Sequence, residues 1–224
     1  MKLDKEIKRI CYLPDGVDLL GIAPLHRFSD LPENKRPTAF LPEAKSVIVI
    51  ASQVFRVLTE RLKAKRKIGE ISFRDFYDAH VETVNIDLSQ TGYRIARYLT
   101  NQGFASINIG QDLTDYRTIT GAFSFKHAAV QAGLGIIGKN GLILTKPYGP
   151  RVRLSAVLTE AELNPSPLIV DDICQDCDIC YKVCPSKALK KPEGNNRPNY
   201  DRFVCSAYYT ANIGCGLCMS KCPR

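Results

Sequence analysis

The clearest hydrophobic pattern in the chain is an unbroken apolar run, Ser46-Val47-Ile48-Val49-Ile50-Ala51-Ser52. It is rich in β-branched residues and has no polar alternation, which predicts a strand buried on both faces. Residues 3–11 place Leu3, Ile7, Ile10 and Cys11 on one side of a helical period, predicting a short amphipathic helix. Pro14-Asp15-Gly16 then turns the chain. Val17 to Ala23 reads as a strand ending at Pro24, and a Pro- and charge-rich loop runs from Pro32 to Pro42. A long helical stretch spans roughly Phe73 to Gln102, with Leu88, Tyr93, Ile95, Ala96 and Leu99 on its inner face and Gly103 as its stop. Ala105 to Ile109 is the next strand, with Ile107 and Ile109 alternating against polar neighbours. Cys11 reads as a small buried hydrophobe.

The middle of the chain carries Gly133, Gly135, Gly138 and Gly141 within nine residues, followed by the strand-like Leu142-Ile143-Leu144-Thr145. Gly133, Gly135 and Gly138 form a G-x-G-x-x-G pattern, which in a dinucleotide site follows a strand and opens a helix. Here the order is reversed, because the helix-like run Phe125 to Ala132 comes first. No acidic residue stands about 20 positions on, where the ribose ligand belongs. The dinucleotide reading is rejected. A helix end capped by Gly133 and a glycine-rich loop entering a strand fits better. Such a loop serves as a tight turn or lets a bulky cofactor approach the backbone. Tyr148-Gly149-Pro150 turns into the strand Arg151 to Thr159, and Asn164-Pro165-Ser166-Pro167 reads as a linker. These positions divide the chain into residues 1–165 and 166–224.

The last quarter holds the strongest chemical signal. It reads Cys174-x2-Cys177-x2-Cys180-x3-Cys184-Pro185, then Cys205-x9-Cys215-x2-Cys218-x3-Cys222-Pro223. The first run has the ligand spacing of bacterial ferredoxins with two [4Fe–4S] clusters, in which the fourth Cys crosses to the other cluster. By that rule Cys174, Cys177, Cys180 and Cys222 hold one cluster, and Cys184, Cys205, Cys215 and Cys218 the other. Zinc is the competing metal, but structural zinc takes four ligands in paired spacing, unlike this run. Disulfides are the other alternative, disfavoured by this density of Cys without a secretory signal.

Composition narrows the setting. The 224 residues are 45% hydrophobic, enough for a real core in front of the Cys module, and the net charge is +8. That charge suits an acidic partner such as nucleic acid or a redox protein. The densest cationic run is Arg61 to Lys67, read as an exposed helix end or loop. The charged start, Met1 to Glu6, has no apolar stretch behind it, and the longest apolar run is too short to span a bilayer. A cytoplasmic protein without membrane contact is expected.

The segment Ala132 to Leu142 (Ala-Gly-Leu-Gly-Ile-Ile-Gly-Lys-Asn-Gly-Leu), paired with a downstream two-cluster module, resembles epoxyqueuosine reductase and the related corrinoid-dependent reductive dehalogenases. Gly21-Ile22-Ala23-Pro24 and Leu41 to Val49 fit the same pattern loosely. The resemblance implies an α+β fold, a nitroreductase-like mixed sheet with helices, followed by a small ferredoxin-like domain. It implies a cobalamin between the two, with Gly133, Gly135, Gly138, Lys139, Asn140, Tyr148 and Arg151 as its contacts. Electrons would come from an external ferredoxin, flavodoxin or reductase and pass through the clusters to cobalt. The substrate would be a small molecule or, as in epoxyqueuosine reductase, a tRNA wobble base.

The sequence departs from that family where an acidic proton donor is expected. Thr118-Ile119-Thr120-Gly121-Ala122 contains no carboxylate, and Asp112 and Asp115 lie upstream. Tyr116, Lys126 and His127 are the remaining candidate proton donors near the glycine loop. Helical repeats expected to help hold tRNA, and the twin-arginine leader of respiratory dehalogenases, are not among the 224 residues. Three further readings stand beside the corrinoid reductase. One is an electron carrier without chemistry of its own, one a flavin (FMN) reductase, and one an RNA-binding module with redox-silent clusters.

Overall fold

The computed structural model describes residues 2–12, 16–64, 69, 72–110, 114–171, 173–174, 176–191 and 199–224. In chain order the elements are α1 (Lys2–Cys11), β1 (Leu19–Pro24), β2 (Ser46–Gln53), α2 (Arg56–Thr59), α3 (Phe73–Asn101), β3 (Ser106–Ile109), β4 (Thr114–Asp115) and β5 (Thr120–Gly121). There follow α4 (Phe125–Gln131), β6 (Gly135–Ile137), β7 (Ile143–Thr145), β8 (Val152–Thr159), α5 (Ile179–Val183), β9 (Leu189–Lys190), β10 (Asn199–Tyr200), α6 (Arg202–Ala211) and α7 (Leu217–Ser220). The fold is α+β. Two compact units emerge, one of residues 1–53, 83–135 and 153–170, the other of residues 54–82, 136–152 and 171–224.

The first unit is built on a sheet of strand order β1-β2-β8-β3. β1 runs antiparallel to β2 with Ile22 opposite Ile48 and Gly21 opposite Val49, and β3 runs antiparallel to β8. Side chains alternate across a strand, so Ile48 and Ile50 face one way and Val47 and Val49 the other. All four are fully buried. The first face meets Ile7 and Cys11 of α1 and Leu88, Ile95 and Leu99 of α3. Helix α4 packs on β1 and β2, and there Gly21 is needed, because a Cβ would stand 2.2 Å from the Ala132 carbonyl oxygen.

Tyr93 departs from expectation. It is 59% exposed, and the buried stripe of α3 runs instead through Val84, Leu88, Thr91, Gly92, Ile95, Ala96 and Leu99. Gly92 sits in that stripe because any side chain would strike Asn108 Oδ1 of β3, 2.3 Å from its Cβ position. The stretch read as a linker is fastened down. Ser166 Oγ accepts from Ile22 N at 3.0 Å, Ser166 N donates to Ile22 O at 2.8 Å, and Arg27 Nη1 donates to Ser166 O at 3.0 Å. Pro14 and Asp15 of the expected turn, and Lys65 to Lys67 of the basic run, lie outside the described residues.

The second unit is made of short elements. Helices α5 and α7 pack together, and β9 pairs antiparallel to β10. Its small apolar cluster contains Cys180, Cys184, Ala188 and Leu189, with Cys205 and Cys218 against it. Asp201 caps α6 by accepting from Phe203 N and Val204 N, each at 3.0 Å. No helix among the described residues is long and apolar enough to cross a membrane.

Candidate metal centre

All eight Cys of the C-terminal spacing belong to the second unit, and all are free thiols. Short helices and turns aim them. Cys180 rides on α5, Cys205 on α6 and Cys218 on α7, while the others sit in the connecting loops. The loops are locally strained. Asp176, Lys187 and Ile213 have φ of 56°, 57° and 51°, each within three residues of a Cys in sequence. A β-branched residue with positive φ, such as Ile213, is held there only by its surroundings.

The thiols act on one another. Burial pushes the Cys180 thiol up to about 11, with Cys174 and Cys177 adding to the shift. Burial also raises Cys222, and the same two thiols add to it, while Arg151 opposes them. Cys218 is pushed up to about 12 by burial and then by Cys205, Cys215, Cys184 and Cys180. Cys184 goes the other way. Burial would raise it, but hydrogen bonds from the Leu189 and Ala188 amides and from Ser186 outweigh that and lower it. Amides converging on a sulfur stabilise a thiolate, as a cluster loop requires.

Thiols from both halves of the motif are therefore close enough to act on one another, and the donor set is all sulfur. No three His, Cys, Asp or Glu among the described residues converge as ligands of a single ion. A single zinc at about 2.3 Å from each sulfur would draw the sulfurs tightly together. Eight thiols match two four-iron clusters in donor chemistry and number.

The residues read as cofactor contacts fall into both units. In the second, Lys139 N donates to Cys174 Sγ at 3.3 Å, and its ammonium pairs with Asp178 at 3.2 Å. Burial alone would lower the Lys139 pKa, but Asp178 raises it on balance. Lys191 and then Lys139 hold the Asp178 carboxyl below its usual range. Asn140 Nδ2 donates to Cys218 O at 3.2 Å, and its Oδ1 accepts from Leu142 N at 3.1 Å. Arg151 is buried and donates to the carbonyls of Cys222 and Arg224. Tyr148 N donates to Thr145 Oγ1 at 3.3 Å within the turn before β8.

The glycines mainly make room for the chain itself. A Cβ at Gly138 would stand 2.6 Å from Leu144 Cδ1. In the first unit, Gly133 has φ of +71° and its Cβ position lies 2.0 Å from Pro167 O. Gly135 opens β6, a strand that forms a hairpin with β7 and was not expected. At Gly133 and Gly138, then, the protein fills the space that a cofactor would need.

The three candidate proton donors all lie in the first unit. Tyr116 is 81% exposed. Lys126 lies on α4 with part of its surface in water, yet the protein around its ammonium lowers its pKa by desolvation. His127 is also on α4, with Nε2 3.4 Å from Asp30 Oδ1 and its ring 5.8 Å from that of Phe28. Asp112 lies outside the described residues, and Asp115 pairs with Arg117 at 3.0 Å. Sequence reasoning missed two residues beside the thiols. The Tyr200 phenol is raised by burial and by a hydrogen bond with Cys205, and Arg74 donates to the Cys215 carbonyl at 3.3 Å. Neither sits in a motif that marks it.

No family model matches the chain. The tetrachloroethene reductive dehalogenase of Desulfitobacterium hafniense is 29% identical over 227 residues, covering 92% of this chain and 36% of that protein. The epoxyqueuosine reductase of Gloeobacter violaceus is 25% identical over 225 residues, covering 91% of this chain and 63% of that protein. The chain thus spans about a third of the dehalogenase and under two thirds of the reductase. Among solved structures, epoxyqueuosine reductase from Streptococcus thermophilus superposes with a TM-score of 0.66 at 21% identity, covering 100% of this chain and 66% of that one. A second epoxyqueuosine reductase, crystallised with an epoxyqueuosine-modified tRNA stem loop, gives 0.61 at 20% identity, covering 99% of this chain and 64% of that one. A reductive dehalogenase with B12-dependent dehalogenation gives 0.70 at 19% identity, over 97% of this chain and 31% of that one. In sequence the chain is thus similar to members of the epoxyqueuosine reductase and reductive dehalogenase superfamily, and it shares their fold.

Proposed function

We propose that the chain is an iron–sulfur oxidoreductase of this superfamily, with two [4Fe–4S] clusters on the eight C-terminal Cys. The carrying observation is the ligand spacing of the eight Cys together with their gathering in one compact unit. When bound, the clusters supply one-electron carriers. The chain's own part is to fix the thiolates and to aim amides at them, as at Cys184 and Cys174. In this reading residues 166–224 carry the clusters. Residues 1–165, as a nitroreductase-like fold, carry a second cofactor and the substrate.

A corrinoid is the second cofactor we favour, on the superfamily alone. The glycine spaces at Gly133 and Gly138 offer it no cradle. Lys126 and His127 on α4, and Tyr116, remain the proposed proton sources. The net charge of +8 suits a tRNA or another anionic substrate, and such binding falls steeply with salt.

The test is iron and cobalt content after anaerobic purification from cobalamin-supplied cells. Two clusters predict about eight irons per chain, and the corrinoid reading adds one cobalt. Iron without cobalt would leave an electron carrier, or a flavoprotein if a yellow chromophore is released on denaturation. Iron absent despite anaerobic handling would overturn the proposal.

A further inference from the structure

Arg74, in the first turn of α3, has surroundings unlike those of a surface arginine. Its side chain is 12% exposed. Nη1 donates to Cys215 O at 3.3 Å, Nη2 donates to the Tyr209 hydroxyl, and Nε donates to Asp78 Oδ2 at 2.9 Å. The guanidinium also lies 4.9 Å from the ring centroids of both Tyr77 and Tyr209. Gly214, at φ +113°, leaves room for it, since a Cβ there would stand 2.9 Å from Arg74 Nε. A planar fork can satisfy all these partners at once, and an ammonium cannot. Five contacts therefore hold one fixed positive charge against the backbone of Cys215.

We propose that Arg74 tunes the reduction potential of the cluster held by Cys184, Cys205, Cys215 and Cys218, a reading that rests on the two-cluster proposal above. Reduction by an external one-electron donor breaks no bond and makes the site one unit more negative. A nearby buried cation favours that reduced state, and net charge around a cluster is one of the levers on its potential. Asp78 opposes the effect. It is 53% exposed and pairs with the Nε side of the guanidinium, while Nη1 faces Cys215. The cation is thus the nearer and better shielded charge, and its sign prevails at the cluster. Arg74 touches no reacting atom; it is a positioning residue that sets a field.

Potentiometric titration of the anaerobically purified full chain, followed by electron paramagnetic resonance, tests this. The wave that Cys205→Ser removes or alters identifies the second cluster. Arg74→Gln should keep its iron and move that wave to lower potential. A tenfold change in the oxidised-to-reduced ratio corresponds to about 59 mV for a one-electron couple. Asp78→Asn, a surface change, should move the same wave upward, and Arg74→Lys, which keeps the charge without the fork's contacts, should restore part of the wild-type value. The other wave should stay in place. If Arg74→Gln loses iron, Asp78→Asn decides. An unmoved wave in iron-replete Asp78→Asn, or a shift in the same direction as Arg74→Gln, overturns the tuning role. A wild-type chain without iron would instead overturn the cluster reading itself.

Discussion

The backbone N–H of Lys139 donates to the sulfur of Cys174 across 3.3 Å, while the Lys139 ammonium turns to Asp178 at 3.2 Å. One residue thus makes two separable contributions, one through the amide and one through the side chain. Lys139→Ala keeps the amide and loses only a partly exposed ion pair, worth about 0.2–1 kcal/mol, and Asp178 retains Lys191 at 2.7 Å. It should leave iron content unchanged. Lys139→Pro deletes the N–H and should lower the potential of the first cluster or cost its iron. Equal iron and equal potentials in both variants would show that the amide does not support the site.

Substitution of the Cys residues separates ligands from bystanders. Any one of the eight C-terminal Cys changed to Ser should cost about one cluster, roughly four irons per chain. Cys11→Ala should cost none, because Cys11 is buried in the first unit's core. Metal analysis of the nine single variants checks this directly. Iron loss in Cys11→Ala, or none in Cys218→Ser, would contradict the ligand sets.

What the sequence revealed follows from the range over which each signal acts. The β2 run and the Cys spacing are local patterns, and they survive folding because each is strong within a few residues. Tyr93 was misjudged because it stands five positions after Leu88, off the stripe on which Thr91, Gly92 and Ile95 lie. Gly92, apolar only by lacking a side chain, gave no hydrophobic signal. Its reason for being there is Asn108, on another element. Strand β6 has three residues and begins with a glycine, so its pairing with β7 leaves little trace in composition. Arg74 is the extreme case. Its partners Tyr209 and Cys215 are 135 and 141 residues downstream, and its local partners, Tyr77 and Asp78, read as ordinary helix-surface neighbours.

Two glycines with positive φ allow backbone strain to be separated from crowding. Gly103 has φ +89° with nothing near its Cβ position, whereas Gly133 has φ +71° and Pro167 O at 2.0 Å. Gly103→Ala should therefore cost only the left-handed backbone penalty, about 1–2 kcal/mol. Gly133→Ala should cost that and the displacement of the 164–167 segment from β1. For a chain of this size, each kcal/mol lowers Tm by about 2–4 °C. Thermal unfolding should show the Gly133 variant clearly below the Gly103 variant. Equal Tm values would mean that the Pro167 segment yields freely.

The Cys11 thiol gives the first unit an alkaline limit. It is fully buried, and burial pushes it up from its ordinary 9.0 to about 12, with only Arg94 opposing. The folded state therefore holds this proton more tightly than the unfolded chain does. Its stabilising contribution is complete below about pH 9 and is lost as pH rises toward about 12, because only the unfolded chain gains from ionising. The loss is about 1.4 kcal/mol for each pH unit in that window. Cys11→Ala removes the titrating group, so denaturant unfolding of wild type and variant should run parallel up to pH 9. Between pH 9 and 11 the wild type should fall more steeply. Parallel curves throughout would mean that Cys11 ionises in the folded protein as readily as in water.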